Sequence, residues 1–416
     1  MKKDKDKLID LLVKRKEDPH ITYAYIERMS GYTKMSIIRM NRLLETKDIE
    51  EIKTHGNAGR KPSITASETE IEYIKRFKLQ YPKITIAHFK DIYDEDIIDN
   101  PKMKKDVVNY GLKKRSVSFF RELYIRFNWK SPVKHRKNNT NGIVHHLRQA
   151  MPRKGMLIQI DGTPFDWFNN GEMYSLHLAV DDATKEIIAG WFTKNECLYG
   201  YLKVIEIMIR EYGVPIAMYS DKHSIFNPKD KIEGQTKFQT IMERLGVETI
   251  RANSSEAKGR IERYNGTCQN RLPNDIKRFG IKDYDELNIW FNSFYKHYLN
   301  RKFANIALDP IDKFVPVEED FDYVENLSIQ VERIINNDMF SYEECLFSPI
   351  DVGTGEIKHI TNGIKINVLH DIINKKLYVK RYGQLLPCIF IKETHKKNEI
   401  NNRKELSSRI RDFIDR

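Results

Sequence analysis

Among the 59 acidic residues of this 416-residue chain, Asp161, Asp221 and Glu262 are set apart by what precedes and follows them. Asp161 closes the apolar run MLIQI, Asp221 closes PIAMYS, and Glu262 sits in the basic, helix-compatible run KGRIER. Three carboxylates gathered from such distances repel one another, so their purpose is to hold divalent cations. Two cations about 4 Å apart stabilise the attacking and the leaving oxygen of an in-line displacement at phosphorus. A donor set made only of oxygen favours magnesium or manganese over zinc. The chemistry expected is therefore metal-dependent phosphoryl transfer, with Asp161, Asp221 and Glu262 as both catalytic residues and ligands to two Mg2+ or Mn2+ ions.

The elements that must position these groups are legible from Gly155 onward, where β-branched and aromatic runs of strand length alternate with long helical patterns. MLIQIDGT, MYSLHLAVDD and EIIAGWFTKN predict three consecutive strands. The helix CLYGYLKVIEIMIREYG follows, with Leu198, Leu202, Ile205 and Ile209 on one face and Gly213 at its stop. Strand PIAMYSD, helix TKFQTIMERLG, strand VETIRA and a helix from about Ser255 complete the order. Three strands in a meander with two more added through helical crossovers predict a mixed five-stranded sheet. Asp161 and Asp221 lie side by side if the first and fourth strands are neighbours. Glu262 falls one to two turns into the last helix.

QIDGTPFDWF, YSDKHSIF and NSSEAKGRIERYNGTCQNRL resemble the three signature blocks of the DDE insertion-sequence transposases and retroviral-type integrases. The resemblance is greatest to the ISNCY-type transposases and covers roughly residues 150–310. It implies a ribonuclease H-like catalytic core, cleavage at transposon ends without a covalent protein intermediate, and attack of the freed 3′-hydroxyl on target DNA. It also implies double-stranded DNA as partner, both terminal repeats and target, and at least a dimer on DNA. Asp161, Asp221 and Glu262 match the family's carboxylates. Glu256 is a rival for the third, but it falls where a neutral residue usually precedes the Lys-Gly pair. Asp166, Asp181 and Asp182 stand before turns and are expected to serve turn geometry. Lys222 and His223 depart from the commoner integrase block; they put a cation or proton-transfer group beside the metals, or reflect subfamily usage.

Charge places the DNA contacts. Residues 1–100 hold 20 basic and 18 acidic side chains, whereas 101–154 hold 15 and 2. Such a stretch suits phosphate contacts with counterion release, or else is a solvated linker. Residues 1–55 predict a helix-turn-helix around Gly31, with a helix from Thr33, whose hydroxyl caps it. Lys34, Arg39 and Arg42 then face outward as on a recognition helix, and Met35, Ile38 and Leu43 inward. Three-helix packing around a glycine turn also occurs in domains that bind nothing, and both readings stand. Residues 56–64 form a linker with Arg60 and Lys61 placed for a minor groove. Residues 65–129 predict a second helical DNA-binding unit, with Phe119, Phe120, Leu123 and Tyr124 as core and Lys113, Lys114 and Arg115 as phosphate contacts. Residues 130–154 are a basic linker in which His145 and His146 read as solvated. Around Glu262, the side chains of Lys258, Arg260, Arg263 and Arg271 would meet DNA; Lys258 and Arg263 are the foremost candidates.

After the core of 155–310, Leu287, Trp290, Phe291, Phe294 and Tyr298 form an apolar stripe. Short strand-like segments over 311–392 predict a small β-barrel, and 393–416 a polar tail. Four scattered cysteines suggest neither zinc nor disulfides. With no apolar run of membrane-span length and no signal-peptide pattern, a cytoplasmic protein, nucleoid-associated when on DNA, is expected. The competing readings are a DNA-binding regulator derived from a transposase and a ribonuclease H-like nuclease.

Overall fold

The computed structural model describes residues 3–53, 65–132, 149–220, 225–226, 235–251 and 259–394. The chain divides into two units, one of Met1–Phe77 with Lys104–Leu112 and one of Lys78–Met103 with Lys113–Arg416.

In the first unit, α1 (Lys5–Glu17) starts where Asp4 accepts the Lys7 amide, and α2 (Tyr23–Ser30) starts where Thr22 accepts that of Tyr25. Gly31 ends α2 with φ 75, a left-handed turn suited to glycine, and α3 (Lys34–Thr46) follows. Leu8, Leu12, Ile26 and Ile37 form the core, flanked by Met40 and Leu44. The inward stripe of α3 is thus Ile37, Met40 and Leu44 together with the half-buried Ile38, while Met35 is 76% exposed and Leu43 also faces out. Adjacent isoleucines leave the apolar face of a helix undetermined by about 100°, and the expected face was the wrong one at those two positions. Lys34, Arg39 and Arg42 are exposed as expected. Thr33 does not cap α3; its hydroxyl meets that of Ser36, and Glu27 accepts the Lys34 amide. Helices α4 (Ile49–Lys53), α5 (Glu68–Leu79) and, in the second unit, α6 (Ile86–Tyr93) follow. Within the first unit α7 (Lys104–Asn109) leads to Tyr110, whose ring meets that of Tyr73 on α5.

In the second unit, α6 runs on into a π turn, Asp94–Ile98, and packs against α8 (Val117–Arg126) through Phe89 and Phe120. Phe120, Leu123 and Tyr124 are buried, as their spacing predicts. The sheet comprises β1 (Leu157–Phe165), β2 (Tyr174–Asp181), β3 (Ile187–Thr193), β4 (Ala217–Ser220) and β5 (Glu248–Arg251), in the order β3-β2-β1-β4-β5. β1, β2 and β3 are antiparallel, whereas β4 and β5 are parallel to β1. This is the mixed five-stranded sheet the sequence predicts. Leu202, Ile205 and Ile209 of α9 (Leu198–Glu211) pack on one face with Phe238 and Met242 of α10 (Lys237–Arg244). The other face, Leu176, Leu178 and Val180 of β2, meets Cys268 and Leu272 of α11 (Gly259–Phe279).

The outer strand β3 is closed in a way the sequence does not announce. Helices α12 (Tyr284–Trp290) and α13 (Lys296–Phe303) join through a π turn, Phe291–Tyr295, and lie along its edge. Asn288 accepts from the Phe192 amide at 2.7 Å and donates to its carbonyl at 3.2 Å. Asn292 does the same for Gly190 at 3.2 and 2.7 Å, and Asn300 for Ile187 at 2.8 and 2.9 Å. Lys296 donates to the Ile188 carbonyl at 3.0 Å. These four side chains recur every fourth residue. In an α-helix that spacing drifts about 40° per step, and the π turn, with more residues per turn, holds them on one side. The helix approaches this closely because residue 190 is glycine: a Cβ there would lie 2.4 Å from the Phe291 ring. The amides stand where another strand would pair, removing the edge. Asn292→Leu is expected to destabilise the fold by about 2 kcal/mol, since it strands both backbone groups of Gly190. Urea unfolding checks it; a loss within about 0.5 kcal/mol would mean that water substitutes for the amide.

Beyond α14 (Tyr323–Leu327) comes a six-stranded antiparallel sheet of β6 (Ile329–Ile334), β7 (Phe340–Tyr342), β8 (Cys345–Pro349), β9 (Lys365–Asp371), β10 (Lys376–Arg381) and β11 (Gln384–Glu393). Its order is β6-β9-β10-β11-β8-β7. Arg333 of β6 donates to the Ser341 carbonyl of β7, so the two end strands meet and the sheet is nearly closed around Phe340, Phe347, Val368 and Val379. Of the short strand-like segments in 311–392, residues 356–360 contribute one isolated bridge at Ile357, and β7 and β8 lie outside those segments. Among the described residues no helix is long and apolar enough to cross a membrane.

Candidate active site

The site is built on a polar register between β1 and α11. Alternate residues of β1 point to one face, and there Gln159 Oε1 accepts the Ile261 amide at 3.2 Å, Asp161 Oδ2 accepts from Asn265 Nδ2 at 2.9 Å, and Thr163 Oγ1 accepts from Gln269 Nε2 at 2.8 Å. Two strand residues advance about 6.7 Å and four helix residues about 6.0 Å, so a helix laid along the strand keeps this pairing in step. Asp161 thereby stands beside the first turns of α11, where Glu262 is exposed to solvent.

A buried carboxylate anchors that turn. Asp182 is fully buried; its Oδ1 accepts from Gln159 Nε2 at 2.7 Å and from Arg260 Nη1 at 2.6 Å, and its Oδ2 from the Met151 amide at 2.8 Å. Asp181 does serve its turn, accepting from the amide and hydroxyl of Thr184 and from the Gly155 amide, and burial pushes its carboxyl pKa up. Asp166 likewise accepts the amides of Asn170 and Gly171. Further along α11, Asp275 accepts from the Tyr295 hydroxyl at 2.7 Å and pairs with His88 of α6 at 3.0 Å, and Arg271 pairs with Asp91 at 2.6 Å.

On the opposite face of β1, Gly162 has a steric reason. A Cβ there would lie 2.6 Å from the Glu196 carboxyl carbon, which Tyr201 holds by a 2.6 Å hydrogen bond. His177 fixes the start of α9 beside it: Nε2 accepts the Cys197 amide, so Nδ1 carries the proton toward the Trp191 carbonyl. Burial holds that imidazole below its ordinary pKa.

Of the expected catalytic trio, Asp161 and Glu262 are therefore brought to one strand–helix register. Asp221 follows Ser220, the last residue of β4, and lies outside the described residues, as do Lys222, His223, Glu256, Lys258, Arg60 and Lys61. Among the described residues no three His, Cys, Asp or Glu side chains converge as a metal site. The local chemistry nonetheless fits a hard divalent cation. Asn265 is 6% exposed, gives its nitrogen to Asp161, and keeps a buried Oδ1 with no hydrogen-bond partner among the described residues. A carboxylate and an amide oxygen side by side are ligands for magnesium or manganese. Cys268, one turn on, is buried in the core with its thiol pushed up to about 12.

The surface cations divide. Lys113 and Arg263 are exposed, and Lys114 is exposed but paired with Asp99 at 2.9 Å. Arg115 is 7% exposed and lies over the Phe119 ring, which removes it from the surface a phosphate could reach. Arg260 and Arg271, expected to face DNA with Arg263, are instead the partners of Asp182 and Asp91. The functional residues the sequence reading missed are Gln159, Asp182 and Asn265. The signal for two of them was present: polar residues at alternate positions of an otherwise apolar strand, answered by Asn265 and Gln269 four apart.

Comparison with known proteins points to one class. The chain is 38% identical over 165 residues to "Putative transposase y4bF" of Sinorhizobium fredii (strain NBRC 101917 / NGR234), covering 38% of this chain and 36% of that protein. It is 29% identical over 292 residues to the transposase for insertion sequence IS1202 of Streptococcus pneumoniae, covering 62% of this chain and 59% of that protein. The chain is similar to insertion-sequence transposases. It spans between about a third and three-fifths of these relatives' length. No family model matches. Among solved structures, the HTLV-2 integrase catalytic core domain in complex with magnesium aligns at 18% identity over 33% of this chain and 86% of that one, with a TM-score of 0.27.

Proposed function

We propose that the chain is a DNA transposase that binds the terminal repeats of its mobile element, cleaves at the ends and joins them to target DNA. The observation that carries this is the β1–α11 register, which sets Asp161 beside the turn bearing Glu262, on the strand adjacent to the one that Asp221 follows. In this reading the five-stranded sheet with its helices is a ribonuclease H-like core. Asp161, Asp221 and Glu262 hold two Mg2+ or Mn2+ ions. Bound there, such ions stabilise the attacking and leaving oxygens at phosphorus. Asn265 orients the Asp161 carboxylate, and Asp182 with Arg260 fixes the helical turn from which Glu262 projects. The helix-turn-helix of 1–55 and the helical unit of 65–129 bind the ends, with Lys34, Arg39, Arg42, Lys113 and Lys114 toward phosphate or base edges. Arg60, Lys61, Lys258 and Arg263 complete the DNA contacts. Joining two ends at one target requires at least a dimer.

The test is a strand-transfer assay with purified protein, magnesium and labelled duplexes carrying the element's own ends, beside Glu262→Gln. Joined products that disappear in the variant are expected. Tight, specific binding with no cleavage in magnesium or manganese would make the protein a regulator instead. Cutting with no preference for the ends over random duplex would make it a nuclease.

A further inference from the structure

The nearly closed C-terminal sheet spreads its charge unevenly. Residues 329–394 hold eight basic and eight acidic side chains, yet from Asp371 to Glu393 there is no carboxylate between Lys375, Lys376, Lys380, Arg381 and Lys392. All five belong to the β10–β11 hairpin and its base. Lys380 is engaged by Glu325 of α14, while Lys376 and Lys392 are exposed. At the tip, Arg381 and Gln384 close a two-residue turn in which Tyr382 has φ 48 and Gly383 φ 77.

Such a turn suits the right-handed twist of a hairpin, but its first position favours Asn, Asp or Gly, because a side chain with a bulky Cβ substituent meets the backbone at positive φ. The β6–β7 turn uses Asn337 and Asp338 for the same conformation. Tyr382 is instead a large aromatic at that position, and 90% of it is exposed. Its ring is backed by the Arg381 guanidinium, 5.0 Å from the centroid. Glu343 and Glu344 form a comparably unfavourable turn, but they present carboxylates, which repel a polyanion. A strained backbone that holds an exposed ring outward from a cationic hairpin has the two parts of a nucleic-acid contact, phosphate neutralisation and a stacking or wedging surface.

We propose that the β10–β11 hairpin is a sequence-tolerant contact for duplex DNA, in which Tyr382 stacks on or wedges against a base step while Arg381 holds a phosphate beside it and Lys376, about 17 Å back along β10, reaches a phosphate further along the duplex. Sequence tolerance follows because every base has a π face and every nucleotide a phosphate, and it suits target DNA better than the element's ends. The proposal rests on the reading of the chain as a DNA-acting protein.

The turn supplies its own control. Tyr382→Asn creates the Asn-Gly pair this turn prefers, so the hairpin should be at least as stable as before. With full-length protein and a short random-sequence duplex, Tyr382→Asn is expected to weaken binding about tenfold. The thermal midpoint and the slope of affinity against salt should stay unchanged, because no charge is altered. Tyr382→Phe should retain most of the binding, and Lys376→Gln should lower the salt slope by about one. If Tyr382→Asn binds random duplex as tightly as the parent, the inference is overturned and the DNA reading stands; a change in subunit number alone would mark the tip as a protein contact. Loss confined to the element's ends would likewise overturn the sequence-tolerant assignment. A parent protein that binds neither duplex would overturn the functional reading itself, and this inference with it.

Discussion

Asp161→Asn should reduce cleavage of the element's ends by at least about a thousandfold while leaving DNA binding and fold nearly intact. The size follows from the chemistry proposed for this position: a carboxylate that holds a cation at the reacting phosphate contributes several kcal/mol of charge stabilisation, and each 1.36 kcal/mol is about tenfold in rate. The fold is spared because Asn265 donates to Asp161 through its amide nitrogen at 2.9 Å, and the carbonyl oxygen of an asparagine accepts that bond equally well. The neighbouring pairs, Gln159 with the Ile261 amide and Thr163 with Gln269, do not involve the altered charge. Single-turnover cleavage, alongside binding to the same labelled duplex, separates the two effects. Retained cleavage would remove Asp161 from the chemistry and sink the phosphoryl-transfer assignment; lost binding would show that the carboxylate organises the DNA surface instead.

The contrast between Asp161 and its neighbours shows what could be read from the sequence. Strands β1 to β5 were legible as apolar runs of strand length rich in β-branched and aromatic residues, buried on both faces in β2, β3 and β4, between helices with a period near 3.6. Short meander turns and longer crossovers imply the mixed sheet, whereas the order of its strands had to come from the structure. Asp161 reads as the end of the first strand, but β1 runs on to Phe165 and leaves it in mid-strand opposite Leu178, because the polar residues after it pair with β2 as readily as the apolar ones before it. What the sequence withholds is the partner of each polar side chain. Arg260, Arg263 and Arg271 look alike on a helical wheel of α11, yet two of them turn to Asp182 and Asp91, which lie 78 and 180 positions away. Asn288, Asn292, Lys296 and Asn300 look like a solvated face, because only the π turn keeps them aligned and only Gly190 lets them reach the strand edge. Met35 and Leu43 were placed inward because apolar type was taken for burial, although roughly half of any protein surface is apolar. Strands β7 and β8 escaped notice because they are three and five residues long, too short for alternation to register.

Asp182 offers the sharpest test of whether such unforeseen pairing matters. Asp182→Ala leaves the Arg260 guanidinium, the Gln159 amide and the Met151 amide without the acceptor they share, all in a region where the carboxylate itself has no exposure. Removing one partner of a buried ion pair costs about 3–5 kcal/mol, because the charge left behind stays desolvated. The same change frees the turn carrying Glu262, so cleavage should fall even in the fraction that remains folded. The double variant Asp182→Ala with Arg260→Met separates these effects. With the stranded charge removed, most of the stability should return, whereas cleavage should stay low, since the tie from Arg260 to the end of β2 is still lost and the turn bearing Glu262 then relies on the Gln159–Ile261 bond. Urea unfolding and single-turnover cleavage on the two variants decide between the roles. Stability and cleavage recovering together would mean that the pair serves the fold alone, and that Asn265 and Gln269 suffice to hold the catalytic helix in register.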